Sequence, residues 1–302
     1  MNLLLTGAFQ YTEEQLNKLR SLCENVTFVQ DERQKLDIDV SSFDAVVCNG
    51  LFQTNDIHDF KNLKYIQLTS AGLDRVPLDY IREHNIKLNN ARGVYSIPMA
   101  EWALLKALEI YKCSKSFYES QSNKKWNKVR NIQELYNKTV CVVGVGSIGH
   151  EVCKRFSAFG CRIIGVDIVS VADEFVDEFF LINEINSALQ KSDVVVLTLP
   201  LTNDTKHLFN KELFSQMKHG SVLINIARGG VICQEDLIEA IQGGRFCGVA
   251  LDVFEEEPLS ESSSLWDMKN VIVTPHNSFV SEGNNERLFD VIIQGLEKEC
   301  CS

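Results

Sequence analysis

The sequence predicts an α/β protein of two domains, each built on a parallel sheet. Three observations carry that expectation. The chain has 302 residues, enough for about two domains of ordinary size, each with its own core. Short β-branched runs alternate with amphipathic stretches along most of its length. The segment VVGVGSIG, 142–149, sets Gly144, Gly146 and Gly149 in G-x-G-x-x-G spacing between an apolar run and a helical one.

In the front of the chain, LLLTG, NVTFVQ, DAVVCNG and YIQLTSAG read as strands, and TEEQLNKLRSLC reads as an intervening helix. Residues 99–113, MAEWALLKALEIYKC, carry apolar positions at helical spacing and predict a long helix. The polar SQSNKKWNKVRN that follows predicts an arm or linker. After Tyr136 come TVCVVGV, CRIIGVD, DVVVLTLP, SVLINIAR, CGVALDVF and VIVTPH. Such near-continuous apolarity belongs to strands buried on both faces of a parallel sheet. Between them, Asn210 can cap KELFSQMK with Gly220 beyond it. Glu235 and Asp236 open a helix that Gly243 and Gly244 can close. The last helix, within 281–300, has an apolar stripe of Leu288, Val291, Ile292 and Leu296.

Composition narrows the function. A net charge of -11 argues against a nucleic-acid partner, which needs clustered Lys and Arg, and against an anionic membrane surface. No apolar run approaches the roughly 20 residues of a membrane span. The start, MNLLLTGAFQ, lacks the basic region and small-residue cleavage site of a signal peptide. The ten cysteines form no C-x-x-C pair. They predict reduced thiols in a cytoplasmic protein, with no metal site and no catalytic thiol.

The glycine spacing alone is weak, but its surroundings supply every part a dinucleotide needs. A strand precedes Gly144, a helix follows Gly149, and the next strand ends in Asp167, 18 positions on. That is close to the ~20 expected for an acid on a ribose hydroxyl. Gly144 permits the tight turn, Gly146 lets backbone approach the pyrophosphate, and Gly149 lets helix pack on strand. The helix N-terminus then faces the phosphates with its partial positive charge. From 168 to 190 there is no Lys or Arg to meet a 2'-phosphate, which predicts NAD.

At this point the sequence resembles the D-isomer-specific 2-hydroxyacid dehydrogenases. INIARGGVI (224–232), GVALDVFEEEPL (248–259) and LWDMKNVIVTPH (265–276) resemble three signatures of that family, in order. TSAGLDRV (69–76) and the NARGVYSIPMAEW region resemble its substrate loop and hinge. The resemblance implies two Rossmann-like or flavodoxin-like domains, with the nucleotide domain inserted into the substrate domain. The expected division is 1–98 plus 277–302 for substrate binding and 99–276 for NAD. The 140 residues ahead of the fingerprint are then mostly the substrate half.

The resemblance also implies that Arg228, Glu257 and His276 share the chemistry. A 2-keto acid needs a planar cation for its carboxylate, and its carbonyl oxygen needs a proton donor as hydride arrives. Histidine titrates near neutrality, and a carboxylate beside it fixes its orientation. The other histidines (58, 84, 150, 207, 219) have no comparable setting. Glu255, Glu256 and Glu257 are consecutive, and only the resemblance selects the one before Pro258. It further implies cofactor contacts from Ser147, Ile148, Leu199, Pro200, Thr205, Ile226, Ala227 and Asp252, the last toward the nicotinamide carboxamide. The backbone amides of Ser70, Ala71 and Gly72 are implied to meet the substrate carboxylate. Where the family has small residues after the histidine, this chain has Asn277, Ser278 and Phe279.

The loop CNGLFQT, 48–54, contains no cation, and Arg75 alone lies near in the substrate loop. A non-phosphorylated 2-keto acid is therefore favoured over 3-phosphohydroxypyruvate, the substrate of phosphoglycerate dehydrogenases. No regulatory domain is expected after residue 302. A reading of another class is an NADH-sensing, corepressor-like protein that binds partner peptides. Helix 99–113 and the arm around Trp126 resemble the family's dimer contacts, which implies a homodimer.

Overall fold

The computed structural model describes residues 1–300, the side chain of Cys300 excepted. The chain forms two compact units: Met1–Tyr95 with the segment from Ser281 onward, and Ser96–Val280.

The first unit is a five-stranded parallel sheet of β1 (Asn2–Thr6), β2 (Asn25–Val29), β3 (Ala45–Cys48), β4 (Tyr65–Leu68) and β5 (Lys87–Asn89), in the order β2-β1-β3-β4-β5. This is the flavodoxin-like order, which reverses between β1 and β3. Helices α1 (Glu13–Leu22), α2 (Leu78–Glu83) and α9 (Asn284–Cys300) belong to it. The period of two in each strand divides the core. Leu3, Leu5, Ala45 and Val47 pack with Leu288, Ile292 and Leu296 of α9, whereas Leu4, Val46 and Ile66 pack with Phe43, Ile57 and Phe60. A capping box starts α1: Thr12 Oγ1 accepts from the Gln15 amide, and the Gln15 side chain accepts from the Thr12 amide.

The second unit is a seven-stranded parallel sheet of β6 (Thr139–Val143), β7 (Arg162–Asp167), β8 (Glu178–Leu181), β9 (Val194–Leu197), β10 (Ser221–Asn225), β11 (Phe246–Leu251) and β12 (Val271–Val273). Their order is β12-β11-β10-β9-β6-β7-β8. This is the Rossmann order with one strand added, and it reverses between β6 and β9. Helix α3 (Ser96–Tyr111) packs so closely that a Cβ on Gly248 of β11 would lie 2.4 Å from Ile110 Cγ2. Helix α4 (Ser114–Ser122) buries no side chain and takes up the front of the polar arm. The remaining arm has no helix or strand, and its Trp126 is 93% exposed. Helices α5 (Ser147–Ala158), α6 (Ile185–Lys191), α7 (Lys211–Gln216) and α8 (Gln234–Gln242) complete the unit. Asn210 Oδ1 accepts from the Glu212 and Leu213 amides at the start of α7, while Gly243 caps α8 and Gly244 takes a φ of +73°.

No helix among the described residues is long and apolar enough to cross a membrane, and no group of three or more His, Cys, Asp or Glu could hold a metal ion. The cysteines described are free thiols; burial pushes that of Cys141 up to about 12.

Candidate active site

The dinucleotide turn leaves β6 at Val143. Gly144 has a φ of +99°, and a Cβ there would come within 3.0 Å of the Thr198 and Leu199 backbone. A Cβ on Gly149 would lie 2.1 Å from Gly144 O, so helix α5 could not seat on the strand with any larger residue. Gly146 differs: a Cβ would meet nothing within 4 Å. The space above it is open, and only glycine leaves that space to a ligand. Gly146 is the N-cap of α5, and no side chain caps the helix there. This is a cradle for a pyrophosphate, so the residues present fit NAD. At the end of β7, Asp167 Oδ2 accepts from the Val145 amide at 2.7 Å and Oδ1 from the Ile168 amide at 2.7 Å. Both oxygens keep an acceptor direction for ribose hydroxyls. The loop from Leu199 is tied across by Thr205, whose hydroxyl donates to Pro200 O at 2.6 Å and accepts from the Thr202 amide at 2.8 Å.

Arg228, the Asp252–Glu257 turn and His276 follow β10, β11 and β12, three adjacent strands, so one end of one sheet brings them together. Buried Ile226 and Ala227 lead into Arg228. Asn225 holds the turn: its Oδ1 accepts from the Ala227 amide at 3.0 Å and its Nδ2 donates to Arg228 O at 3.1 Å. Gly229 then lies on the next loop so tightly that a Cβ would stand 1.8 Å from the Phe254 carbonyl carbon. Phe254 in turn donates its amide to Glu257 Oε1 at 3.0 Å.

The three consecutive acids separate here. Glu257 Oε2 meets His276 Nδ1 at 2.8 Å, Glu255 Oε1 meets His207 Nε2 at 2.7 Å, and no ion pair engages Glu256 among the described residues. The histidine is part exposed, with 32% of its side chain open. Its ring meets that of Phe279 edge to face, with centroids 5.9 Å apart and planes at 89°.

Asp252 is fully buried. Its Oδ1 accepts from the Thr274 hydroxyl at 2.5 Å and the Asn277 amide at 2.9 Å, and its Oδ2 accepts from the Ser278 amide at 2.9 Å. Its carbonyl accepts from the His276 amide at 2.8 Å. His276 itself has a φ of +51°, a left-handed conformation that costs a branched-free L-residue about 1–2 kcal/mol. Asp252 offsets that cost by holding both sides of the turn. This clasp is absent from the sequence reading, as is the His207–Glu255 pair. An acid ending a strand beside a parallel neighbour that ends in Thr was the available signal for the first.

In the other unit, the Ser70–Gly72 loop has its carbonyls engaged: Ser70 O accepts from the Ala91 amide and Ala71 O from Asn90 Nδ2 at 2.7 Å. Among the described residues the amides of Ser70, Ala71 and Gly72 donate no hydrogen bond. Three successive free donors suit an anion.

The family model for the D-isomer specific 2-hydroxyacid dehydrogenase, NAD binding domain, matches residues 103–278. The chain is 33% identical to a hydroxypyruvate reductase of Thermotoga maritima over 89% of its own length and 88% of that protein. It is 34% identical to a D-3-phosphoglycerate dehydrogenase of Methanocaldococcus jannaschii over 84% of its length, and there it spans 49% of the relative. A solved D-lactate dehydrogenase of Aquifex aeolicus, complexed with NAD and lactic acid, shares the fold with a TM-score of 0.81, over 99% of this chain and 96% of that one, at 24% identity. The chain belongs to the D-isomer specific 2-hydroxyacid dehydrogenases, and residues 103–278 are its NAD-binding domain.

Proposed function

We propose that the protein interconverts a non-phosphorylated 2-keto acid and its D-2-hydroxy acid with NAD(H), His276 exchanging the proton. The observation that carries this reading is the 2.8 Å contact of Glu257 Oε2 with His276 Nδ1. With Nδ1 held, Nε2 is the nitrogen left to face substrate. In reduction His276 donates the Nε2 proton to the carbonyl oxygen, and in oxidation it takes the hydroxyl proton back. Bound nicotinamide supplies or receives the hydride. Arg228 takes the substrate carboxylate and steadies the carbonyl oxygen through its fork of donors; in the first unit, the free amides of Ser70–Gly72 suit a carboxylate. Glu257 orients the imidazole and offsets its charge, while Phe279 limits water beside it. Asp167 receives the ribose hydroxyls, with Gly144–Gly149 on the pyrophosphate.

The same reading takes the protein as a cytoplasmic homodimer, joined through α3 and the arm about Trp126. The test is a panel of 2-keto acids, phosphorylated and not, followed by loss of NADH absorbance. Turnover of small monoanionic acids is expected. Turnover of 3-phosphohydroxypyruvate alone would assign the phosphoglycerate reaction instead, and NADH binding without any turnover would assign a sensor.

A further inference from the structure

Glu32 lies in the loop after β2, at the point where the first unit's strand order reverses. It is 7% exposed, yet among the described residues no cation pairs with it. Its carboxylate is instead ringed by donors: Thr6 Oγ1 at 2.6 Å and the Asn49 amide at 3.1 Å on Oε2, with the Gly50 amide at 2.5 Å on Oε1. Its carbonyl accepts from Thr54 Oγ1 at 3.0 Å. Glu32 thus grips both ends of the loop 49–54, which follows β3. Three donors thus converge on one buried carboxylate, under a loop that contains no Lys, Arg or His.

Two further atoms mark the same place. Asn49 Oδ1 and the Tyr11 hydroxyl are buried with no hydrogen-bond partner. Burial, then the neighbouring Cys48 and Glu32, push the Tyr11 phenol far up, so it stays a neutral hydroxyl. Strands β3 and β4 pair side by side, and the Thr69 amide donates to Cys48 O at 2.9 Å. The loop 49–54 is therefore the immediate neighbour of Ser70–Gly72, at the switch point where ligands meet open parallel sheets.

We infer that Glu32 is a specificity-determining positioning residue: it fixes the 49–54 loop and, through its unpaired charge, excludes substrates with a second anion beyond the 2-keto acid group. This rests on the proposed 2-keto acid chemistry, with the carboxylate at Ser70–Gly72.

Two substitutions test it. Glu32→Gln keeps the shape and one acceptor but removes the charge; Gln53→Lys, at an exposed loop position, adds a cation without touching the buried clamp. For each, kcat/KM is measured with hydroxypyruvate and with the dianion oxaloacetate. In parallel, calorimetry on the NADH complex measures binding of oxamate and of the dianion tartronate, which requires no turnover. Both substitutions should raise the dianion-to-monoanion ratio, in efficiency and in affinity, by roughly tenfold, the scale of one unit charge at ~10 Å after partial screening. The pH profile of the reaction should not move. An unchanged ratio in Gln53→Lys and in folded Glu32→Gln overturns the inference, whatever happens to stability. Absence of turnover by the wild-type protein on every keto acid instead fails the proposed reaction, and the calorimetric ratio still decides the role of Glu32.

Discussion

Gly229→Ala should damage this site more than any other single methyl. In the folded chain the new Cβ would lie 1.8 Å from the Phe254 carbonyl carbon, 1.9 Å from its oxygen and 2.4 Å from the Glu255 amide nitrogen. Ordinary contact begins at 3.4 Å, so two backbones must part by about 1.6 Å, and neither is a side chain that can swing away. One of those backbones carries Arg228; the other, through Phe254 N–H to Glu257 Oε1, carries the acid that holds His276. A displacement of about 1 Å costs roughly 10²-fold in a reaction that depends on alignment. Overpacking of this kind costs about 1–3 kcal/mol, a Tm lower by roughly 2–10 °C. Gly230→Ala is the internal control, because its Cβ would meet only the flexible end of Leu201 at 3.3 Å. Steady-state reduction of the best keto acid and thermal unfolding are measured for both. Wild-type kcat/KM in Gly229→Ala, or equal losses in the two variants, would refute the linkage between the Arg228 and Glu257 loops.

Two more outcomes are expected. A 2'-phosphate at 4 Å from Asp167 costs about 4 kcal/mol at an effective dielectric of 20, so kcat/KM with NADPH should fall roughly 10³-fold below that with NADH; Asp167→Ala should narrow the gap, and equal use of NADPH by the wild type would contradict the cofactor assignment. In the first unit, burial pushes the Asp44 carboxyl up, but the Asn2 amide at 2.8 Å and Lys64 at 3.3 Å outweigh it and hold the group below its usual range. A depressed folded value contributes stability above the unfolded value near 3.9 and loses it as pH falls through the folded one. Asp44→Asn should therefore lower Tm at pH 7 and converge with wild type as pH falls through the folded value, below the ordinary carboxylate range; a difference that stays constant throughout acid pH would remove Asp44 as the cause.

Most strands that the sequence revealed are buried on both faces, where nearly every position is apolar; edge strand β2, with no buried residue, showed through its β-branched and aromatic run. The two it concealed are edges. Lys87–Asn89 is three residues of largely polar side chain, and Glu178–Leu181, which runs on into Ile182, is a half-buried apolar run too short to tell strand from helix by periodicity. Helix α4 escaped for a related reason, since a helix that buries nothing imposes no period on its residues. At the site, the glycine fingerprint and Asp167 were legible because spacing along one βαβ unit is local. The acid beside His276 was legible only through the family resemblance. Three consecutive glutamates are chemically equal, and only the path of the turn sends Glu257 to His276 and Glu255 to His207. The Glu32 clamp joins residues 6, 32, 49 and 50 across three strand ends, a relation no spacing encodes.

The most direct test compares wild type with His276→Ala on the best keto acid, with NADH binding followed by fluorescence and the product resolved on a chiral column. The wild type should yield the D-hydroxy acid; His276→Ala should bind NADH equally well and lose roughly 10²–10⁴-fold in kcat, the usual scale for a positioned general acid. An unchanged kcat in His276→Ala, or an L-configured product from the wild type, would contradict the proposed chemistry.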